Sequence, residues 1–466
     1  MSVRSDRLPV VVIGAGPVGL AAAVHLLTRG AETLVLEAGA SVGANVLTWA
    51  HVRVFSPWRY NVDPEAARLL GQHGWAHPPL DDYPTGAELV ARYLRPLADV
   101  PALRSRVRLG THVLGVSRLG VDRTKTKGRE ALPFVLRVTT NGVEEHLLAR
   151  AVIDASGTVA TPNPLGATGM PAIGEETLRD RIVYGMPDVL GRDRARYAGR
   201  RTLVVGSGHS AFNVLIDLAT LASQAPGTRM AWAIRRSEIG NLFGGGTADA
   251  LPERGRLGML LRSLVEDGRL TMTLGFHVMR LERTADGIVA RNDANALPPV
   301  DGIVCATGFR PDFAPLREIR LDLDPVIESP TALAPVIDPN VHSCGTVPPH
   351  GEDVLRQPEA GFYLAGMKAY GRAPNFLMLT GYEQVRSIAC ALTGDVEGAK
   401  RVDLTVPATG VCSGPAASEA SVSCCAPKAE DDTSAACCAP AATPEPATGC
   451  CAPAPPVVVR LGAPRP

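Results

Sequence analysis

Leu8-Pro-Val-Val-Val-Ile-Gly-Ala-Gly-Pro-Val-Gly-Leu20 joins an apolar run to a glycine fingerprint, Gly14-Ala15-Gly16-Pro17-Val18-Gly19. The run suits a strand buried on both faces, and Leu20 to Leu27 reads as the helix it feeds, ended by Gly30. Each glycine has a task. The first makes the strand-to-helix turn, the second lets backbone approach a pyrophosphate, and the third packs helix on strand. A pyrophosphate then rests on the helix N-terminus.

The next strand, Thr33-Leu-Val-Leu-Glu37, carries an acid at its C-terminal tip, where Glu37 can accept hydrogen bonds from ribose hydroxyls and would repel a 2′-phosphate. FAD or NAD fits such a site. A second unit begins at Thr202-Leu-Val-Val205, with the turn Gly206-Ser207-Gly208-His209-Ser210-Ala211, in which Ala211 replaces the third glycine, and a helix through Asn213 to Leu221. Its following strand, Arg229 to Ile234, ends in Arg235-Arg236 instead of an acid. Guanidinium groups there suit a bidentate grip on a 2′-phosphate and favour NADPH over NADH, although two arginines at a strand end also describe a solvated edge. Two nucleotides in one chain imply electrons passed between cofactors.

Downstream, Asp301-Gly-Ile-Val-Cys-Ala-Thr-Gly-Phe309, with Gly308, resembles the "ATG" strand of two-dinucleotide flavoproteins, and Gly361-Phe-Tyr-Leu-Ala-Gly366 resembles their C-terminal FAD strand. That resemblance implies an α/β fold of two Rossmann-like dinucleotide-binding domains, a split FAD domain (residues 1–170 and 301–404) with an inserted NAD(P)H domain (171–300). Stretches such as Leu203-Val-Val-Gly-Ser-Gly-His-Ser-Ala211 and Met367-Lys-Ala-Tyr-Gly-Arg-Ala-Pro-Asn375 are similar to flavin-binding monooxygenase-like oxidoreductases encoded beside arsenic-resistance genes. Two departures bear on chemistry. No C-x-x-C occurs before residue 405, so the redox disulfide of thioredoxin reductases is missing, and Tyr184-Gly-Met-Pro-Asp-Val-Leu-Gly191 replaces the F-x-G-x-x-x-H signature of flavin-containing monooxygenases.

Residues 405–466 change abruptly to Ala, Pro, Ser, Thr and Cys, a composition that cannot build a core and reads as a disordered tail. Cys424-Cys425, Cys437-Cys438 and Cys450-Cys451, each followed by Ala-Pro, recur every 13 residues behind Cys412; the tail thus holds seven of the chain's ten cysteines. Vicinal thiolates suit soft ions, Cu(I), Zn(II) or trivalent arsenic. Redox shuttling by the same thiols is the other chemistry open to them, and incidental cysteines in a drifting tail the bland one. A structural zinc finger is disfavoured, since C-x-x-C spacing and histidine partners are both absent there.

Lys plus Arg equals Asp plus Glu at 47 each, so no global field attracts nucleic acid or an anionic membrane. No stretch reaches about 18 unbroken apolar residues, so no transmembrane helix is expected, and NADPH use with free thiols points to the cytoplasm. Oligomeric state is not legible.

For the flavin side, His51 and Arg53 alternate with Val52 and Val54; in a strand they would share one face and could stabilise negative charge developing on a flavin. Trp49, Trp58 and His51 could equally be packing residues. Lys368, just after the last FAD strand, is a candidate positive group beside the flavin, raising its potential, or a surface lysine. The Gly244-Gly-Gly246 run with Arg254 and Arg256 reads as a lid or a crossing loop. Together these features point to an FAD-dependent, NADPH-consuming oxidoreductase, a monooxygenase of a soft nucleophile such as a trivalent arsenical. The rivals are a reductase of a tail disulfide or thiol-bound metal(loid), and a metalloid-sequestering protein on a flavoprotein scaffold.

Overall fold

The structure, a computed structural model, describes residues 7–249, 251–339, 347–374 and 376–404, together with the backbone of 458–459. Two parallel sheets organise it. The first is ordered Phe362–Leu364, Ala151–Asp154, Val10–Ile13, Thr33–Leu36, Val107–Arg108. Its middle strands are apolar because both faces are covered: Val10, Val11 and Val12 are wholly buried, as are Leu20 to Val24 of the helix Pro17–Thr28 that packs on them. The helix Met378–Leu392 packs along that helix, where Gly381 lets Val18 approach.

The second sheet runs Thr271–Thr273, Arg229–Ala233, Arg201–Val205, Gly302–Cys305, Ile182–Tyr184, all parallel, with the helix His209–Gln224 against it. All of its parallel strands fall in sequence between Ala151–Asp154 and Phe362–Leu364 of the first sheet. The inserted arrangement of the α/β fold is therefore real: the chain leaves the first sheet, builds the second, and returns. The pairs of cysteines in the tail, and the disorder expected of it, lie outside the described residues; the short strand Val458–Val459 pairs antiparallel with Met272 and Thr273.

A three-stranded antiparallel sheet, Thr111–Arg118, Phe134–Thr140 and Val143–Ala149, flanks the first sheet. A buried ionic triad ties it to the returning chain. Arg118 Nε donates to Glu359 Oε1 at 2.8 Å, Arg129 Nε donates to Glu359 Oε2 at 3.0 Å, and the Arg118 guanidinium lies 3.7 Å from the Phe134 ring centroid. Arg254, read as part of a lid or of a crossing loop, is buried and paired with Asp249, and Gly255 and Gly258 bring the helix Pro252–Glu266 onto the backbone of Gly246 and Phe243. The glycine run is a packed crossing, because a Cβ at either helix glycine would strike carbonyl oxygen. Among the described residues no helix is long and apolar enough to cross a membrane.

Candidate functional site: one cavity between two glycine turns

Both glycine turns form as their sequences require. Gly14 has φ +99°, and a Cβ there would lie 2.9 Å from the Ala155 carbonyl oxygen; a Cβ on Gly19 would lie 1.9 Å from Gly14 O. Gly16 differs: nothing lies within 4 Å of its Cβ position. It caps the helix with no side-chain hydrogen bond, and Pro17 follows in the first turn, so the early amides of that turn are left for an anion. The second turn repeats this. Gly206 (φ +136°) is pressed against Ala306 O, Gly208 caps its helix and opens onto free space, and the Ala211 that stands in for the third glycine is wholly buried.

Glu37 is buried at the tip of Thr33–Leu36, where its carboxylate accepts from Ala15 N at 2.7 Å and Gly39 N at 2.8 Å. A carboxylate has about four acceptor positions, so two remain for a ligand while the first two brace the turn. Glu37, Gly14, Gly16 and Pro17 line one end of a cavity of about 810 Å³. Trp49, Arg53, Gly366, Met367 and Lys368 line it as well, and it reaches His209, Ser210 and Asn213 at the start of the second nucleotide helix. That volume is within the range of cofactor sites, and the open Gly16 cradle fits a pyrophosphate. Gly308 (φ +94°) does not line the cavity; it turns the chain against Asn163, and Asp312 reaches the cavity instead.

Two expectations need correction. No strand runs through His51 and Arg53. Residues 50–54 pair loop to loop with 84–87, Val54 N donating to Pro84 O at 2.9 Å and Gly86 N to Val52 O at 3.0 Å, so the backbone finds its partners outside any sheet. Arg53 lines the cavity rim, half-exposed, with Tyr83 O as its hydrogen-bond partner, whereas His51 sits in a turn off the cavity. Lys368 is neither a surface lysine nor an unpaired charge. It is buried, and its Nζ donates to Asp154 Oδ2 at 2.7 Å and Ser156 Oγ at 3.0 Å. Pairing cancels most of its field, as burial of a lone ammonium would be prohibitive.

Asp154 escaped the sequence reading, although an apolar run closing in Asp154-Ala-Ser-Gly157 repeats the strand-then-turn format of the fingerprints. So did the contact between the two lobes. Phe55 packs at a tilt against His209, 5.1 Å between ring centroids, His209 meets Phe212, and Phe212 meets Trp232, whose Nε1 donates to Gly206 O at 2.7 Å. Burial, with the positive charge of Arg254, pushes the His209 imidazole down to about 4, so it is neutral at neutral pH. Arg235 and Arg236 stand exposed at the C-terminal end of Arg229–Ala233, held only by long contacts to Ala167 O, Ile239 O and Asn241. Cys305 is buried, and burial pushes its thiol up to about 11, leaving it protonated.

Residues 11–344 match the pyridine nucleotide-disulphide oxidoreductase family. The chain is 27% identical to a ferredoxin-NADP reductase of Salinispora arenicola over 323 residues, 68% of this chain and 79% of that one. Among solved structures it resembles bacillithiol disulfide reductase from Bacillus cereus, with TM-score 0.59, 22% identity and coverage of 83% and 99% of the two chains. It also resembles a flavin-containing monooxygenase from Stenotrophomonas maltophilia, with TM-score 0.54, 22% identity and coverage of 83% and 98%. The chain belongs to the pyridine nucleotide-disulphide oxidoreductase family and is an oxidoreductase that uses FAD and NADP(H).

Proposed function

We propose that the chain is an NADPH-consuming FAD monooxygenase acting on a soft nucleophile, with a trivalent arsenical as substrate. The observation that carries this is one cavity bordered by both nucleotide turns, with no cysteine lining it among the described residues. FAD would be held at the turn of Gly14, Gly16, Pro17 and Gly19, with Glu37, Gly366 and Lys368 lining the same cavity. NADPH would be held at the turn of Gly206, Gly208 and Ala211, with Arg235 and Arg236 for its 2′-phosphate. When bound, FAD and NADPH supply hydride transfer and oxygen activation; the protein supplies position and exclusion of water. Arg53 at the rim is placed to meet an anionic group, and His51 has only an indirect part. The vicinal pairs Cys424-Cys425, Cys437-Cys438 and Cys450-Cys451 would hold the arsenical as thiolate ligands and deliver it on a tether. The segments 1–170, 171–300, 301–404 and 405–466 are the corresponding domains.

The test is NADPH consumption by the FAD-loaded chain with and without oxygen, titrating arsenite or a trivalent methylarsenical. Oxygenation balances as substrate, O2, NADPH and a proton giving the oxidised product, NADP+ and water. Oxygen-dependent, arsenical-stimulated turnover to a pentavalent product is expected. Turnover indifferent to arsenicals rejects that substrate, and turnover persisting without oxygen, lost on Cys→Ser change in the tail, points to the reductase. Replacing Arg235 and Arg236 by alanine should raise the KM for NADPH by about tenfold or more and leave that for NADH nearly unchanged, since only NADPH carries the second phosphate. Equal losses with both nucleotides would assign those arginines to the solvated edge.

A further inference from the structure

Behind the cavity wall, a chain of three hydrogen bonds, the first two buried, leads away from Gly366. Gly366 N donates to Gln384 Oε1 at 2.8 Å, and Gln384 Nε2 lies 2.8 Å from His350 Nε2. His350 Nδ1 in turn lies 3.1 Å from the Pro348 carbonyl oxygen. Only one proton arrangement satisfies all three. A carbonyl cannot donate, so Nδ1 carries the hydrogen, Nε2 is the acceptor, and the Gln384 amide is oriented with nitrogen toward His350 and oxygen toward Gly366. Gln384 is wholly buried and His350 nearly so, so water does not replace a lost partner.

Gly366 needs this support. Its φ is +67°, Val18 stands 3.2 Å from its Cβ position, and it opens the short turn Gly366–Lys368 that forms the cavity wall and places Lys368 on Asp154. We infer that Gln384 and His350 are positioning residues for the flavin, holding the Gly366 peptide in place only while His350 is neutral with its proton on Nδ1. Protonation puts a hydrogen on Nε2. The Gln384 amide must then turn its oxygen to His350 and set its NH2 against Gly366 N–H, donor facing donor.

The charged and titratable groups facing His350 are Asp353 on its own segment, and Glu383 and Tyr370 on the elements packed against it. Glu383 is already paired with Arg386. Burial lowers the His350 pKa from the ordinary histidine value against the opposing pull of Pro348 O, Asp353 and Glu383, so the neutral relay holds at neutral pH and opens on the acid side.

This inference rests on the proposal that FAD occupies the cavity against Gly366. The test loads the full-length chain with FAD and follows its release by fluorescence from pH 8 to pH 4.5, with the fold monitored by circular dichroism. His350→Phe removes the acceptor and should weaken FAD retention about fivefold to tenfold already at pH 8, as one lost buried hydrogen bond allows. His350→Gln restores a non-titrating acceptor; it should hold FAD like the natural chain at pH 8 and keep it in acid, where the natural chain loses it. Gln384→Glu, whose second oxygen accepts from protonated His350, should reverse the pH trend. Superimposable curves for the natural chain and His350→Gln, or unaltered retention in a folded His350→Phe, would overturn the relay. Gly16→Val, which makes no contact with the relay residues, is the control: if it retains FAD, the placement of FAD is wrong, not the relay.

Discussion

Gly16→Val is expected to abolish FAD binding in a chain that still folds, while Gly208→Val retains FAD and loses reduction by NADPH. The two positions invite this test because a Cβ there meets no protein atom: nothing lies within 4 Å of either Cβ position. Their backbones are extended, with φ −79° at Gly16 and −90° at Gly208, which any residue adopts. Valine caps a helix less well than glycine, but that cost is about 1 kcal/mol or less. What valine removes is the close approach of an anion to the first helical amides. FAD affinity should fall at least about 100-fold in Gly16→Val, equivalent to roughly 2.7 kcal/mol. Flavin fluorescence titration reads the first effect, and anaerobic stopped-flow bleaching of bound flavin by NADPH reads the second. Parallel losses in the two variants would contradict separate nucleotide sites. Gly14→Val, by contrast, should fail to fold, with φ +99° and Ala155 O in the way.

The largest stability effect is expected at Glu359. Its carboxylate is the only acid in the triad with Arg118 and Arg129, and all three side chains are almost completely buried. Glu359→Gln leaves two guanidinium groups facing an amide, and breaking a buried pair from one side costs about 3–5 kcal/mol. A lowered urea midpoint would register it. Replacing all three by apolar residues should recover only part of that loss, because Arg118 also donates to Leu132 O and Arg129 to Asp122 O and Glu318 O, carbonyls that would be left without those donors. The acid limb follows. Burial pushes the Glu359 carboxyl up, but hydrogen bonds from Arg129 and Arg118 outweigh it and hold the group below the usual carboxylate range. A depressed folded pKa contributes stability that is present above the unfolded value, near about 4.3, and is lost as pH falls through the folded value. That slope should vanish in Glu359→Gln; an unchanged acid transition would assign acid sensitivity elsewhere.

Residue order alone dictates those features that depend on neighbours in the chain. Strand, glycine turn and helix at 10–28 and again at 201–224 are set by local rules: apolar runs of strand length, a glycine where φ is positive, a proline at a helix start. The order of those units, with Phe362–Leu364 returning to the first sheet, was legible for the same reason. Which charges stand alone and which are paired is set by the folded molecule. Lys368 and Asp154 are 214 residues apart in the chain, Arg118 and Glu359 241 apart, and no pattern along a single segment marks either pair. The loop through His51 took its form from residues 84–87, and the relay from His350 to Gly366 exists only because the helix Met378–Leu392 brings Gln384 between them. Local geometry follows from backbone sterics acting over a few residues. The electrostatics of a cavity follow from burial, and burial is settled by the whole fold.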